Sequence, residues 1–428
     1  MSDADDVPAN SGGLPGDVSN PTWRTMLAAF RVPAFAWYWS GQLLSGIGTW
    51  SQSIALAWLV LDLTHSAIDL GTVTMLQFLP ILAFALLGGV IADRFPRRRL
   101  LVVTQIALTL EAFTLGLLVA LQIITLWEVA AIAMAVGTTN ALNNPVQQAF
   151  VPELVGDELV ANAVALNSIQ FNTARMVGGA VGGLAISAWG TSGALFLNAF
   201  SFVPIVAVLL AIHPGHVSRR RIGGEGTALS ELRNGLTYAM QTVSVSRVVL
   251  LFAIVGLFGF NWQVAVPVLA RFTLHRQATG FGDLMAALGA GSLLGSISLA
   301  RNQRASERRL VIGGAALGLS LVALGLVHSY PISVAILGLA GLAGVVASVT
   351  ANTRLQLLTP DNLRGRVMGI YVLLMGGTTP VGSFVLGEVA GHFGIDAALV
   401  IFGMMTAGGV VVVGLVRRRS DNSGGSKF

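Results

Sequence analysis

Twelve apolar stretches, each about long enough to cross a bilayer, follow one another between Ala34 and Val416. Nothing else in the chain constrains its fold as strongly. A hydrocarbon core of roughly 30 Å takes about 20 apolar residues as a helix. Inside it every backbone N–H and C=O must be paired within the protein, so only helices or closed barrels can span. Stretches such as 100–121, 129–151 and 310–327 lack the polar alternation of a barrel strand. They read as helices. The pattern predicts spans at 34–61, 67–92, 100–122, 127–150, 159–188, 191–212, 247–270, 278–300, 309–328, 331–358, 365–391 and 394–416. The fold class expected is an all-α membrane protein of twelve transmembrane helices in two pseudo-symmetric six-helix bundles. A chain 54% hydrophobic and 11% charged is no ordinary soluble domain. Its 51 glycines suit helices that pack closely through small residues.

Arginine supplies the orientation. Basic residues occupy alternate connections: Arg24 and Arg31 before the first span, Arg94, Arg97, Arg98 and Arg99 after the second, and Arg219, Arg220, Arg221, Arg233 and Arg247 around the central loop. Arg301, Arg304, Arg308 and Arg309 follow the eighth span, Arg364 and Arg366 open the eleventh, and Arg417, Arg418, Arg419 and Lys427 end the chain. These are 21 of the 25 Lys and Arg residues, whereas the opposite connections hold only Arg271 and Arg276. By the positive-inside rule both termini are expected in the cytoplasm. The net charge of +5 then reflects topology and anionic headgroups rather than a nucleic-acid partner.

Residues 1–31 are acidic at first, rich in Gly, Pro, Ser and Asn, and without the layout of a signal peptide, so they are expected to form a disordered cytoplasmic tail, with a second tail at 417–428. The chain has no cysteine, which excludes disulfides, thiolate metal sites and haem thioether links. Its only lysine is Lys427, which excludes a Walker A loop and ATP bound by this polypeptide. All the histidines lie at or near span ends, with no H-E-x-x-H or comparable set. No metal and no cofactor is expected.

The spans divide at a polar connection, 213–246, into bundles at 32–212 and 247–416. Within that connection Thr227 to Gln241 reads as a cytoplasmic surface helix, with Leu229, Leu232, Leu236 and Met240 on one face. The halves look duplicated: Asn144, Gln148 and Pro152 match Asn352, Gln356 and Pro360 at an offset of 208, and Ala92 matches Ala300.

The run Gly89-Val-Ile-Ala-Asp93-Arg94-Phe-Pro-Arg97-Arg98-Arg99 resembles the G-x-x-x-D-R-x-x-R-R-x signature between helices 2 and 3 of the major facilitator superfamily. Phe35, Trp39, Gly41-Gln42, Ser45, Gly48 and Trp50 resemble the opening of its enterobactin-exporter and macrolide-efflux branch. Pro152-Glu-Leu-Val, Arg175-x-x-Gly178 with Gly182-Gly183, and Pro360 followed by Arg364-Gly-Arg366-Val are similar to that branch too. The resemblance covers residues 32–416. It departs from the superfamily's proton antiporters at two points: Gly178-Gly179 stands where they usually carry Gly-Pro in helix 5, and helix 4 lacks their mid-helix Arg.

The resemblance implies that Asp93 faces the N-terminus of helix 11, whose partial positive charge favours an anion, with Gly89 letting the two helices approach. Arg364 and Arg366 sit at that terminus. The offset of 208 maps Asp93 onto Arg301 and Glu158 onto Arg366, so the second half carries the same contact with its signs exchanged. Two cytoplasmic clamps are expected, Asp93 with Arg366 and Arg301 with Glu158 or Asp157, both closed when the carrier faces outward. Arg94 and Arg97 belong to the same gating run. For Arg97, Arg98 and Arg99 a plain positive-inside anchor explains the charge as well.

The fold implies a central cavity lined by helices 1, 4, 7 and 10. Gln42, Ser45, Thr49 and Gln52 form one stripe of helix 1, and Asn140, Asn144 and Gln147 one of helix 4. Helix 7 adds Asn261, Trp262 and Gln263, and helix 5 adds Asn167, Gln170 and Arg175. Substrate lining and plain helix-to-helix hydrogen bonding both account for such stripes. Charges at depth are fewer: Glu111 and Arg175 near mid-membrane, and Glu388 toward the outer end of helix 11. Buried charges in membranes are costly and mostly functional, so these three are candidates for proton coupling. Glu111 could instead pair with a neighbour, and Arg175 could bind an anionic substrate or neutralise a glutamate.

The function expected is a secondary active transporter, a proton-coupled exporter of amphiphilic small molecules such as a drug, macrolide or siderophore; the alternative is a proton-coupled importer. No enzyme site is visible. Expected partners are a small-molecule substrate, protons and the lipid bilayer, for a monomer in a bacterial cell (inner) membrane. The orientation is directly measurable because the chain is cysteine-free. New cysteines at Ser66 or Thr191 should react with impermeant reagents from outside intact cells, and one at Ser218 should not; the reverse labelling would overturn the topology.

Overall fold

The computed structural model describes residues 27–212, 236–301 and 306–424, without the side chains of 85–90, 92–93, 300–301, 361–362 and 416–424. The described elements are helical. In chain order they are α1 (Pro33–Thr64), α2 (Ala67–Arg94), α3 (Arg97–Ala120) and α4 (Leu126–Val155), then Val160–Ala211, which folds back on itself as α5 (160–189) and α6 (191–211). After the central connection come α7 (Val243–Thr273), α8 (Ala278–Arg301), α9 (Glu307–Leu326), α10 (Tyr330–Leu358), α11 (Asp361–Phe393) and α12 (Ile395–Gly424). Ten segments among the described residues are long and apolar enough to cross a membrane, the α5–α6 pair counting as one. The remaining helix, α4, falls short because its middle carries Asn140, Asn143, Asn144, Gln147 and Gln148.

Local chemistry sets the helix ends. Pro33 opens α1 at a position where its missing N–H costs nothing. Ser66 caps α2 by accepting from Asp69 N at 3.2 Å, and Ser306 caps α9 by accepting from Arg309 N at 3.2 Å. Between α5 and α6 the chain reverses at Gly190, with φ 72° and ψ 178°, a conformation that only glycine adopts readily. The expected surface helix is described only from Leu236 to Gln241, where it is helical with Leu236 and Met240 exposed; residues 227–235 lie outside the described residues.

One predicted element differs. The seventh span is broken: an α-helical start at Val243–Ile254, a wider turn at Val255–Gly259, a short helix at Trp262–Val268 and a second wide turn at Leu269–Thr273. Pro267 inside it removes one backbone donor and crowds the carbonyl four residues earlier. The Asn261 amide donates to Leu257 O at 2.7 Å, satisfying one carbonyl at the break. Hydropathy alone indicates a single span because the stretch as a whole is still apolar enough.

The two bundles meet through α2 against α11 and α5 against α8. The contacts are close at the arginine-poor face. A Cβ on Gly71 would lie 2.8 Å from Ser383 O and 3.0 Å from Gly387 Cα, and one on Gly183 2.7 Å from Ala278 O. Arg271 of α7 pairs with Asp62 of α1 across the same end and stacks over Trp58 at 5.1 Å. Toward the arginine-rich face the α11 stripe carrying Ser383 and Gly387 continues through Gly376, Gly369 and Gly365, which have no described atom within 4 Å of a Cβ. Among the described residues the close approach of the two bundles lies toward the arginine-poor face.

This close approach is testable. Asp62→Cys with Arg271→Cys should cross-link readily. Adding Gly183→Val, whose side chain meets backbone of α8, should cut the cross-linking yield several-fold, whereas Gly408→Val, in open space, should leave it unchanged. Equal yields in both would mean that the α5–α8 contact does not hold this end closed.

Candidate functional site

A polar cavity of about 180 Å³ lies inside the first bundle, walled by α1, α3, α4, α5 and α6. Gln42, Thr49, Gln52, Asn140 and Asn144 all line it, together with Ser45, Gln147 and Gln170. Its apolar surface comes from Trp50, Phe171 and Phe202, among others. Trp50 and Phe171 meet edge to face, with ring centroids 5.7 Å apart.

Much of this wall is preorganised by its own hydrogen bonds. The Gln42 amide donates to Tyr38 Oη at 3.0 Å and accepts from Ser45 Oγ at 3.3 Å. Asn198 donates to Gln52 Oε1 at 2.7 Å, which ties α6 to α1. Asn143 Oδ1 accepts from Thr104 Oγ1 at 2.9 Å and from Gln105 Nε2 at 3.3 Å, which ties α4 to α3. A membrane interior offers no water to satisfy amides, so those that bond one another stay fixed. Asn144 is exposed and has its groups free to meet a ligand.

The remaining predicted residues lie elsewhere. Asn261 packs against α11, where Ser383 Oγ donates to its Oδ1 at 3.4 Å. Trp262 is buried in the short helix beyond the break and Gln263 half-buried beside it; none of the three lines the polar cavity. Glu111 accepts from Thr139 Oγ1 at 2.7 Å, and its other oxygen is buried without a partner. It therefore sits at the α3–α4 seam, two turns from Gln105 in the cavity wall. Arg175 donates to Asn172 Oδ1 at 3.3 Å and lies over the Trp50 ring at 5.9 Å. Glu388 is partly exposed beside His392, 3.7 Å away, at the arginine-poor end.

The gating run divides. The side chains of Gly89, Asp93 and Arg301 lie outside the described residues, and so therefore do both expected clamps. Arg94 and Glu158 are exposed, and Arg364 donates to Gln356 O at 3.2 Å. Arg97 joins two helices, donating to Glu153 Oε1 at 2.8 Å and to Ala149 O at 3.1 Å, and so fastens the start of α3 to the end of α4. Arg98 donates to the carbonyls of Leu209 and Leu210 at the end of α6, where the helix dipole favours a cation. The second bundle repeats the first of these contacts with signs exchanged. Glu307 at the start of α9 lies 3.7 Å from Arg354 at the end of α10, and 3.2 Å from Arg247 of α7.

Sequence reasoning missed Tyr38, Gln105, Asn143 and Asn198 in this network. Asn143 was within reach, since it shares the 3-and-4 spacing of Asn140, Asn144 and Gln147. Gln105 was not, because the expected cavity helices were 1, 4, 7 and 10.

Three comparisons place the chain among known proteins. A family described as transmembrane secretion effector matches residues 24–424. The staphyloferrin A transporter of Staphylococcus aureus (strain NCTC 8325 / PS 47) is 25% identical over 86% of this chain and 93% of its own. The multidrug efflux pump Tap of Mycolicibacterium fortuitum is 26% identical over 88% of this chain and 94% of its own. Among solved structures, a D323A mutant of the nucleoside transporter NupG superposes with a TM-score of 0.72 at 11% identity, covering 89% of this chain and 98% of its own; that likeness is one of fold.

Two neighbouring asparagines separate structure from recognition. Asn143→Leu breaks the α3–α4 network and should cost about 1 kcal/mol, seen as a lower melting temperature in detergent. Asn144→Leu should leave melting unchanged and weaken ligand binding. Equal melting of the two variants would remove Asn143 from the framework.

Proposed function

We propose that this chain, which belongs to the transmembrane secretion effector family of the major facilitator superfamily, exports amphiphilic small molecules in exchange for protons by alternating access. That it is a multi-pass membrane transporter and not an enzyme follows from the family. Export, coupling ion and substrate class are the proposal. One observation carries it: an amide-lined cavity with aromatic walls lies inside the first bundle, and the two bundles pack closely at the arginine-poor face. Fixed amides and hydroxyls beside Trp50 and Phe171 suit a weakly polar ligand with an apolar body. The names of a staphyloferrin A transporter and a multidrug efflux pump among its relatives support the same reading.

With the arginine-rich face in the cytoplasm, close packing at the opposite face suits a carrier that loads substrate from inside a bacterial cell membrane. The Asp93–Arg366 and Arg301–Glu158 clamps are proposed to close in the outward-facing state. Glu111 is our candidate for proton coupling, since its carboxyl is buried at the α3–α4 seam with a hydroxyl on one oxygen and no bond to the other. The same carboxyl bonds a helix that lines the cavity, so its protonation can be felt there.

The test uses the purified protein in sealed vesicles under an imposed pH gradient, with a panel of fluorescent amphiphiles. Gradient-dependent movement that collapses with an uncoupler is expected. Rates equal to protein-free vesicles across the panel would sink the carrier reading, and movement with the proton would reverse the direction. Glu111→Gln should abolish gradient-driven transport while substrate exchange persists. Wild-type gradient-driven transport in that variant would remove Glu111 and leave Glu388 and Arg175 as the coupling candidates.

A further inference from the structure

Arg175 sits where the two bundles meet. On α5, Gly178 and Gly182 face α1: their Cβ positions lie 2.6 Å from Trp50 Cβ and 3.0 Å from Ile54 Cβ. Gly179 and Gly183 face α8, with Cβ positions 3.1 Å from Ala286 N and 2.7 Å from Ala278 O. At about 100° per residue, position 175 falls on the strip between these two faces. It points to the junction of α1, α5 and α8, one turn toward the arginine-rich end from these closely packed glycines. Arg175 is therefore at the apex of the α1–α5–α8 junction, with its guanidinium over Trp50 of the cavity wall at 5.9 Å.

Its bonding is incomplete. Among the described residues it has one weak hydrogen bond, to Asn172 at 3.3 Å, and its Nε is buried with no acceptor. No carboxylate among them is paired with it: Glu111 bonds Thr139 instead, and Asp283 of α8 accepts from Tyr330 Oη at 2.8 Å. A guanidinium held at membrane depth without a counter-ion is costly and is retained where it binds something. Its planar fork matches carboxylate, sulfonate or phosphate oxygens.

We infer that the substrates of this carrier are amphiphilic anions, whose acidic group is received by Arg175 at the apex while the apolar body lies on Trp50 and Phe171. The inference rests on the carrier reading above and names its substrate class. Recognition is shared: the guanidinium attracts the charge and the two rings hold the apolar body, so loss of Arg175 removes the preference for anions and spares the affinity for neutral bodies.

Two probes with one skeleton isolate the charge: 8-anilinonaphthalene-1-sulfonate and its uncharged parent, N-phenyl-1-naphthylamine. Binding to the full chain in neutral detergent is followed by energy transfer from tryptophan. The wild type should favour the anion, and Arg175→Gln should lower that preference about tenfold, the weight of a charge-assisted hydrogen bond. Arg175→Lys should keep most of it, and unchanged binding of the neutral probe certifies the fold of each variant. An equal anion preference in Arg175→Gln and wild type would overturn the inference while leaving the carrier reading intact, provided the neutral probe is bound and moved. Failure of the wild type to bind either probe would overturn both. If phosphatidylglycerol at fixed detergent abolishes the preference where phosphatidylcholine does not, the site holds a lipid headgroup and the small-molecule assignment falls; equal preference in both supports it.

Discussion

The whole architecture depends on backbone-to-backbone approach between two bundles toward the arginine-poor end. Glycines on α2 and α5 meet glycines or bare backbone on α11 and α8 at distances that leave no room for a Cβ. In a bilayer no hydrophobic force draws helices together, since lipid tails are as apolar as side chains, so close van der Waals contact supplies the attraction. Such contact is steep in distance. It holds two rigid bodies firmly where surfaces match, from Gly71 against Gly387 to Gly377, whose Cβ would lie 2.9 Å from Leu82 Cδ1.

Charge refines what packing establishes. The bridge from Arg97 to Glu153 and its sign-exchanged counterpart from Glu307 to Arg354 each stay within one bundle, so they stiffen each body whichever way the cleft opens. The Arg271–Asp62 pair instead crosses between bundles, with Asp62 nearly half exposed. Pairs this wet contribute about 1 kcal/mol or less. That is too little to hold the bundles together and enough to tilt a two-state equilibrium whose states differ by a few kcal/mol. The division between charges that brace a bundle and charges that bias the pair is what the proposed alternating access requires.

Much of this was legible in the sequence, for reasons that differ by level. Helix number and order followed from the length a bilayer imposes, and the reversal at Gly190 fell in the two-residue gap between the predicted fifth and sixth spans. The break in α7 was hidden, because hydropathy averages over the local backbone effect of Pro267 and Asn261. Stripe spacing brought Gln42, Thr49, Gln52, Asn140 and Asn144 to one cavity, whereas Asn261, Trp262 and Gln263, consecutive residues chosen for their place on helix 7 and not for spacing, lie outside it at the break. Periodicity assigns a face only while 3.6 residues make a turn. Arg97 read equally well as a solvated anchor. Its bond to Glu153 depends on the crossing of α3 and α4, which no single helix encodes.

The cavity is also lopsided in a way that bears on mechanism. Its polar wall belongs to the first bundle. Under the proposed export reading, a ligand held by amides that are themselves fixed by hydrogen bonds would travel with the first bundle as a rigid site, and the second bundle would act as the moving wall. Affinity and access would then sit on separate bodies, so that a change in the shape of the second bundle's packing surface would alter which face is open with little effect on what is held.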